Sequence, residues 1–120
     1  MDTKNKELLL KDLNARLPYG VKIELTWWVM GEGTYINTTL EPDHIEQFLN
    51  DEDGDTEIKP YLRPMSSMTD EEKEEYCQLQ QKVVNEDVTK YINYCYKKHL
   101  DINNLIPIGL AIDATNLNIY

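Results

Sequence analysis

Leu8, Leu9, Leu13 and Leu17 recur at helical spacing, and Pro18 followed by Gly20 stands where a helix stop signal belongs. The pattern predicts a helix from about Thr3 to Leu17. From Val21 the period changes to two: Val21, Ile23, Leu25 and Trp27 alternate with Lys22, Glu24, Thr26 and Trp28, which marks a strand with one buried face. After Gly31-Glu32-Gly33, a second run alternates Ile36, Thr38 and Leu40 with Tyr35, Asn37 and Thr39. The two runs predict an antiparallel hairpin with a loop longer than two residues.

Pro42 suits a first helical turn, and Ile45, Phe48 and Leu49 form a short apolar stripe, so Pro42 to Asn50 is expected to be a two-turn helix. Asp51 to Thr56 is a polar loop. Ile58 to Arg63 is expected to be extended, with Pro60 confining any strand there to a sheet edge. Thr69-Asp70-Glu71-Glu72 matches a capping box, in which the Thr hydroxyl and the Glu carboxylate each accept from the other's backbone amide. A helix should run from Asp70 to about Val84. Asp87 can cap a third long helix, with Val88, Tyr91, Ile92, Cys95 and His99 on one face toward the sheet. The tail from Asp101 is apolar around Leu105, Ile106, Ile108, Leu110 and Ile112, but Pro107 and Gly109 forbid a regular helix. It reads as a turn and a short extended segment closing the core. Together these elements predict an α+β class: one domain over residues 1–120, with a small antiparallel sheet and about three main helices.

Charge narrows the partners. The chain carries a formal net charge of −10, and the run from Glu41 to Glu57 holds eight carboxylates with no Lys or Arg. Such a surface repels nucleic-acid phosphates and anionic membranes and attracts basic protein surfaces, over a range of about 8 Å at physiological salt. The expected partner is therefore a protein with a basic surface, such as a nucleic-acid-binding effector whose phosphate path the carboxylates mimic. No apolar segment is long enough to span a membrane, and no signal peptide is evident, so the expected location is a reducing cytoplasm with Cys77 and Cys95 as free thiols.

No motif for catalysis, cofactor or metal emerges. The oxygen-rich Asp51–Glu57 segment lacks the EF-hand spacing, because counting back from Gly54 puts Leu49 where the first Asp belongs. His44, His99, Cys77 and Cys95 are too far apart for the usual paired zinc spacing. A Cys77–His99 couple has no local support, and Ser66 and Ser67 sit where caps are common. The chain is read as non-enzymatic and without cofactor.

Trp28 is the oddity, because it falls on the polar face of its strand beside Lys22, Glu24 and Thr26. A Trp there is either an interface anchor or is covered by a helix or the tail, and Tyr35, Tyr61, Lys59 and Arg63 could join its face. With those cations the face could alternatively stack single-stranded nucleic acid, which the net charge disfavours. The candidate partner-binding residues are thus Trp28, Tyr35 and Tyr61 with the acidic set Glu41, Asp43, Glu46, Asp51, Glu52, Asp53, Asp55 and Glu57.

Leu17-Pro18-Tyr19-Gly20-Val21-Lys22, the segment Ile58 to Thr69 (IKPYLRPMSSMT) and Leu105 to Ala111 (LIPIGLA) are similar to stretches of small uncharacterised proteins encoded in phages, prophages and mobile elements of Bacteroidetes. The resemblance touches front, middle and back of the chain, and omits Glu41–Glu57. It supplies no activity and no site residues. It implies a bacterial host cytoplasm and a gene that travels with mobile DNA, where small acidic proteins often act on host machinery. The expected function is a non-enzymatic inhibitor or modulator of host defence of the anti-CRISPR kind. The alternatives are a homo-oligomeric assembly protein, or an enzyme or ligand-binding protein with a pocket invisible in sequence.

Overall fold

The computed structural model describes residues 3–29, 32–50, 56–81, 89–117 and 119–120, and its centre is a four-stranded sheet. Strand β1 (Lys22–Val29) lies between β2 (Glu32–Thr39) and β3 (Thr56–Leu62) and is antiparallel to both. The short β4 (Ile112–Asp113) runs parallel beside β3, which makes the sheet mixed where an antiparallel one was expected. The cause is the connection, which carries two helices and is long enough to return the chain in the same direction.

Helix α1 (Thr3–Arg16) ends in a tight turn over Leu17–Tyr19, and Gly20 then takes a left-handed φ of 67°, so its lack of a Cβ lets the chain turn into β1. Its buried face is Leu9, Asp12, Leu13 and Arg16. Helix α2 (Pro42–Leu49) contributes Ile45 and Phe48 to the same core as Ile23, Leu25, Ile58 and Leu62. The expected alternation of β1 therefore holds, with Trp27 packed on the core and Trp28 opposite.

Pro60 does not place β3 on an edge. The Tyr61 carbonyl is turned toward β1, where it accepts from the Tyr120 hydroxyl, so by alternation the missing N–H of Pro60 falls on the far side. There β4 begins only opposite Tyr61, and no ladder bond is lost.

Helix α3 (Asp70–Gln81) opens with the expected capping box: Thr69 N–H donates to Glu72 Oε1 at 3.0 Å, and Glu72 N–H to Thr69 Oγ1 at 3.2 Å. Glu72 also holds Arg63 at 2.6 Å, which ties α3 to the end of β3. Helix α4 (Thr89–Lys97) packs chiefly on α1 and α3, in place of the expected sheet contact, with Tyr91 edge-on to Tyr76. His99 is not on its apolar face. The helix stops first, and His99 takes a left-handed φ of 60° in a Schellman cap, with Leu100 N–H donating to the Cys95 carbonyl. Leu100 then bridges Arg63, and Asp101 caps the next turn by accepting from the amides of Leu105 and Ile106. As expected, the tail closes the core through Leu105, Leu110 and Ala111.

Arg63 holds the Glu72 carboxyl down at about 2, chiefly by its hydrogen bond, against 4.5 for the free group. Burial, with Arg16 and Arg63 nearby, pushes His99 down to about 4 from 6.5. In both cases the unfolded chain takes up protons first, so acid destabilises the fold. Stability should fall as pH drops from about 6.5 to 4 through His99, and again from about 4.5 to 2 through Glu72. Urea denaturation against pH checks this, with His99→Asn flattening the upper window and Glu72→Gln the lower.

Candidate functional site

The register places Lys22, Glu24 and Trp28 of β1 on the sheet face away from the core, with Asn37 of β2 beside Glu24 and with Glu57, Lys59 and Tyr61 from β3. Trp28 is 42% exposed. It stands opposite Gly33, and a Cβ built there would come within 2.8 Å of the indole, so glycine is what lets the ring lie over β2. Tyr35 stands opposite Thr26 in the register, and its side chain lies outside the described residues.

Tyr61 shares this face but is only 8% exposed. Its hydroxyl donates to Asn37 Oδ1 at 2.8 Å and reaches Glu24 Oε2 at 3.3 Å. The tail covers it. Tyr120 inserts its hydroxyl between β1 and β3, accepting from Lys22 N–H at 2.7 Å and donating to the Tyr61 carbonyl at 2.8 Å, while its ring stacks on His99 at 3.8 Å. Leu117 and Ile119 then wall a recess of about 420 Å3 with Lys22, Asn37, Thr38 and Tyr61. The face is thus open at the Trp28 end and covered at the Tyr61 end, and Tyr61 serves as a support and not as an exposed contact.

The cations of this face are engaged. Lys22 Nζ donates to Thr39 Oγ1 at 2.8 Å, Lys59 Nζ is 3.4 Å from Glu57 Oε1, and Arg63 makes a two-pronged pair with Glu72. A phosphate backbone would have to compete with each of these partners.

The α2 carboxylates lie elsewhere. Glu41, Asp43 and Glu46 are exposed on α2, where Glu41 forms a reciprocal cap with His44, whose Nδ1 accepts from Glu41 N–H at 3.0 Å. Because Ile45 and Phe48 enter the core, α2 lies on the opposite side of the sheet from Trp28. One contact surface combining Trp28 with these carboxylates is therefore not formed. Beside Asp43 and Glu46, at further steps of three residues, stands Leu49, 56% exposed. Asp51, Glu52, Asp53 and Asp55 lie outside the described residues, and Glu57 belongs to the Trp28 face.

Cys77 is exposed on α3, whereas Cys95 is buried, and burial pushes its thiol up to about 11. His99 Nδ1 and Arg16 Nη1 are buried without hydrogen-bond partners. Among the described residues no group of three or more His, Cys, Asp or Glu side chains could hold a metal ion. A second recess of about 180 Å3, beside Arg63, Ser67 and Tyr120, like the first has no Cys, His or carboxylate side chain among the described residues of its lining. The residues that sequence reasoning missed are Asp12, Arg16 and Tyr120. An Asp–Arg pair four apart reads as surface helix chemistry, and nothing in a lone Tyr marks its strand-bridging role.

No protein-family model, curated protein or solved structure matches the chain. Among the described residues no helix is long and apolar enough to cross a membrane.

Gly33→Ala should lift the Trp28 ring from the strand. In a Trp27→Phe background, acrylamide quenching of the remaining indole should rise. Unchanged quenching would show that Trp28 does not rest on Gly33.

Proposed function

We propose that the chain is a non-enzymatic interaction protein of a bacterial mobile element, which modulates or inhibits host defence machinery by docking on a basic protein surface in the host cytoplasm. The observation that carries this reading is α2. Its core side is fixed by Ile45 and Phe48, and its outer side presents Asp43, Glu46 and exposed Leu49 in one stripe. Anchored carboxylates lose little entropy on binding and steer a basic partner from a distance, while the adjacent Leu supplies an apolar contact. The apolar anchor of this surface is then Leu49 in place of Trp28. The exposed Asp70, Glu71, Glu74 and Glu75 of α3 add to the same long-range field.

The test is capture from a nuclease-treated bacterial host lysate, with identification of bound protein by mass spectrometry. A basic protein should be held in stoichiometric amount and released by salt. Asp43→Asn combined with Glu46→Gln should weaken the affinity by about three- to tenfold and flatten its salt dependence. Equal retention by this variant at every salt concentration would contradict the reading.

A further inference from the structure

Among the described residues β2 pairs with β1 alone, so its other side is an open sheet edge. The register shows which backbone groups are unspent. Leu40 N–H donates to the Val21 carbonyl, which makes this a hydrogen-bonded pair just beyond the strand. By alternation Ile23/Thr38, Leu25/Ile36 and Trp27/Thr34 are hydrogen-bonded pairs as well, and the N–H and C=O groups of Gly33, Tyr35, Asn37 and Thr39 point away from β1. Lys22 obeys the same parity, with its N–H turned to the β3 side toward Tyr120.

Sheet edges are usually blunted by Lys, Pro, a bulge or brevity. The opposite edge is blunted, because β4 has two residues. β2 has eight, runs in unbroken register, and from Gly33 to Thr39 carries no charge and no proline in a chain that is 28% charged. At its middle Ile36 is 39% exposed.

We propose that this edge pairs antiparallel with the β2 edge of a second copy about a two-fold axis at Ile36, joining the two sheets into one. The register is self-complementary. With Ile36 opposite itself, Tyr35 meets Asn37 and Gly33 meets Thr39, so every outward backbone group finds a partner. Ile36 then faces its own copy as a non-hydrogen-bonded pair, the arrangement that brings side chains closest, at about 4.5 Å between Cα atoms. The neutral stretch from Gly33 to Thr39 selects this occupant. It offers a basic partner no counter-charge, and it keeps the middle of the seam between two chains of net charge −10 free of like-charge pairs. This surface is separate from α2 and does not depend on the proposed function.

Sedimentation equilibrium of the full chain from about 10 to 500 µM, combined with amide hydrogen exchange, tests the proposal. The mass should rise with concentration from 14.1 kDa toward twice that value, and more steeply at higher salt, because salt screens the repulsion between copies. The outward amides of Tyr35, Asn37 and Thr39 should slow in proportion to the dimer fraction. Ile36→Lys sets like charges against each other and should weaken association at least about tenfold with an unchanged circular dichroism spectrum. If that variant fails to fold, exchange in the wild-type chain decides. A chain that stays at 14.1 kDa throughout overturns the proposal. So does a dimer in which the amides of Tyr35, Asn37 and Thr39 exchange like free peptide amides, or one that a folded Ile36→Lys variant leaves intact.

Discussion

A guanidinium without solvent exposure fixes how the helices sit against the rest of the molecule. Arg16 grips Asp12 one turn back, with Nε to Oδ1 at 2.6 Å, and its Nη2 donates to the Leu100 carbonyl at 2.6 Å, far along the chain. Its plane lies over the Tyr96 ring, 4.9 Å from the centroid, and Asn103 adds a donor to Asp12. Burying two charges is costly, and their attraction offsets the cost only when the geometry is good and further hydrogen bonds are made. Here those bonds are made to Leu100 and Asn103 in the segment after α4, while α4 itself contributes the Tyr96 ring. The pair therefore specifies one docking of α1 more than it adds stability.

The far end of the sheet hangs on that junction. Leu100, held by Arg16, bridges Arg63, and Arg63 carries the Glu72 pair that positions α3. His99, forced into a left-handed conformation, presents its ring to Tyr120, and Tyr120 completes the contact between β1 and β3. Polar cross-links thus close one end of the sheet and cover Tyr61. Among the described residues, exposed Trp28, the outer edge of β2 and the outer side of α2 take no part in these cross-links.

The hydrophobic period made the hairpin legible, including the face on which Trp28 lies, because alternation in a strand assigns faces without reference to other elements. The Thr69–Glu72 cap and the Pro18–Gly20 stop were legible for the same reason, since their physics is local. What failed was relational. Pro60 read as an edge signal because sequence does not show that β4 begins one residue later. Asp12 and Arg16 carry no sequence signal of burial, because that burial depends on Leu100. The carboxylates of α2 and the indole of Trp28 are both exposed, but a pattern assigns a face to each element and does not say which side of the sheet that element will cover. His99 fits the apolar face of α4 by spacing, yet the helix ends before it.

The most direct measurement is a double-mutant cycle on Asp12 and Arg16, by urea denaturation of the two single Ala variants and the double variant. If the buried pair governs the docking, each single change should cost about 3 kcal/mol or more, because it strands a charge in the interior. The double variant should then cost at least about 2 kcal/mol less than the sum. Single costs below about 1 kcal/mol that add within about 0.5 kcal/mol would contradict the account, and would place the organising contact elsewhere in the fold.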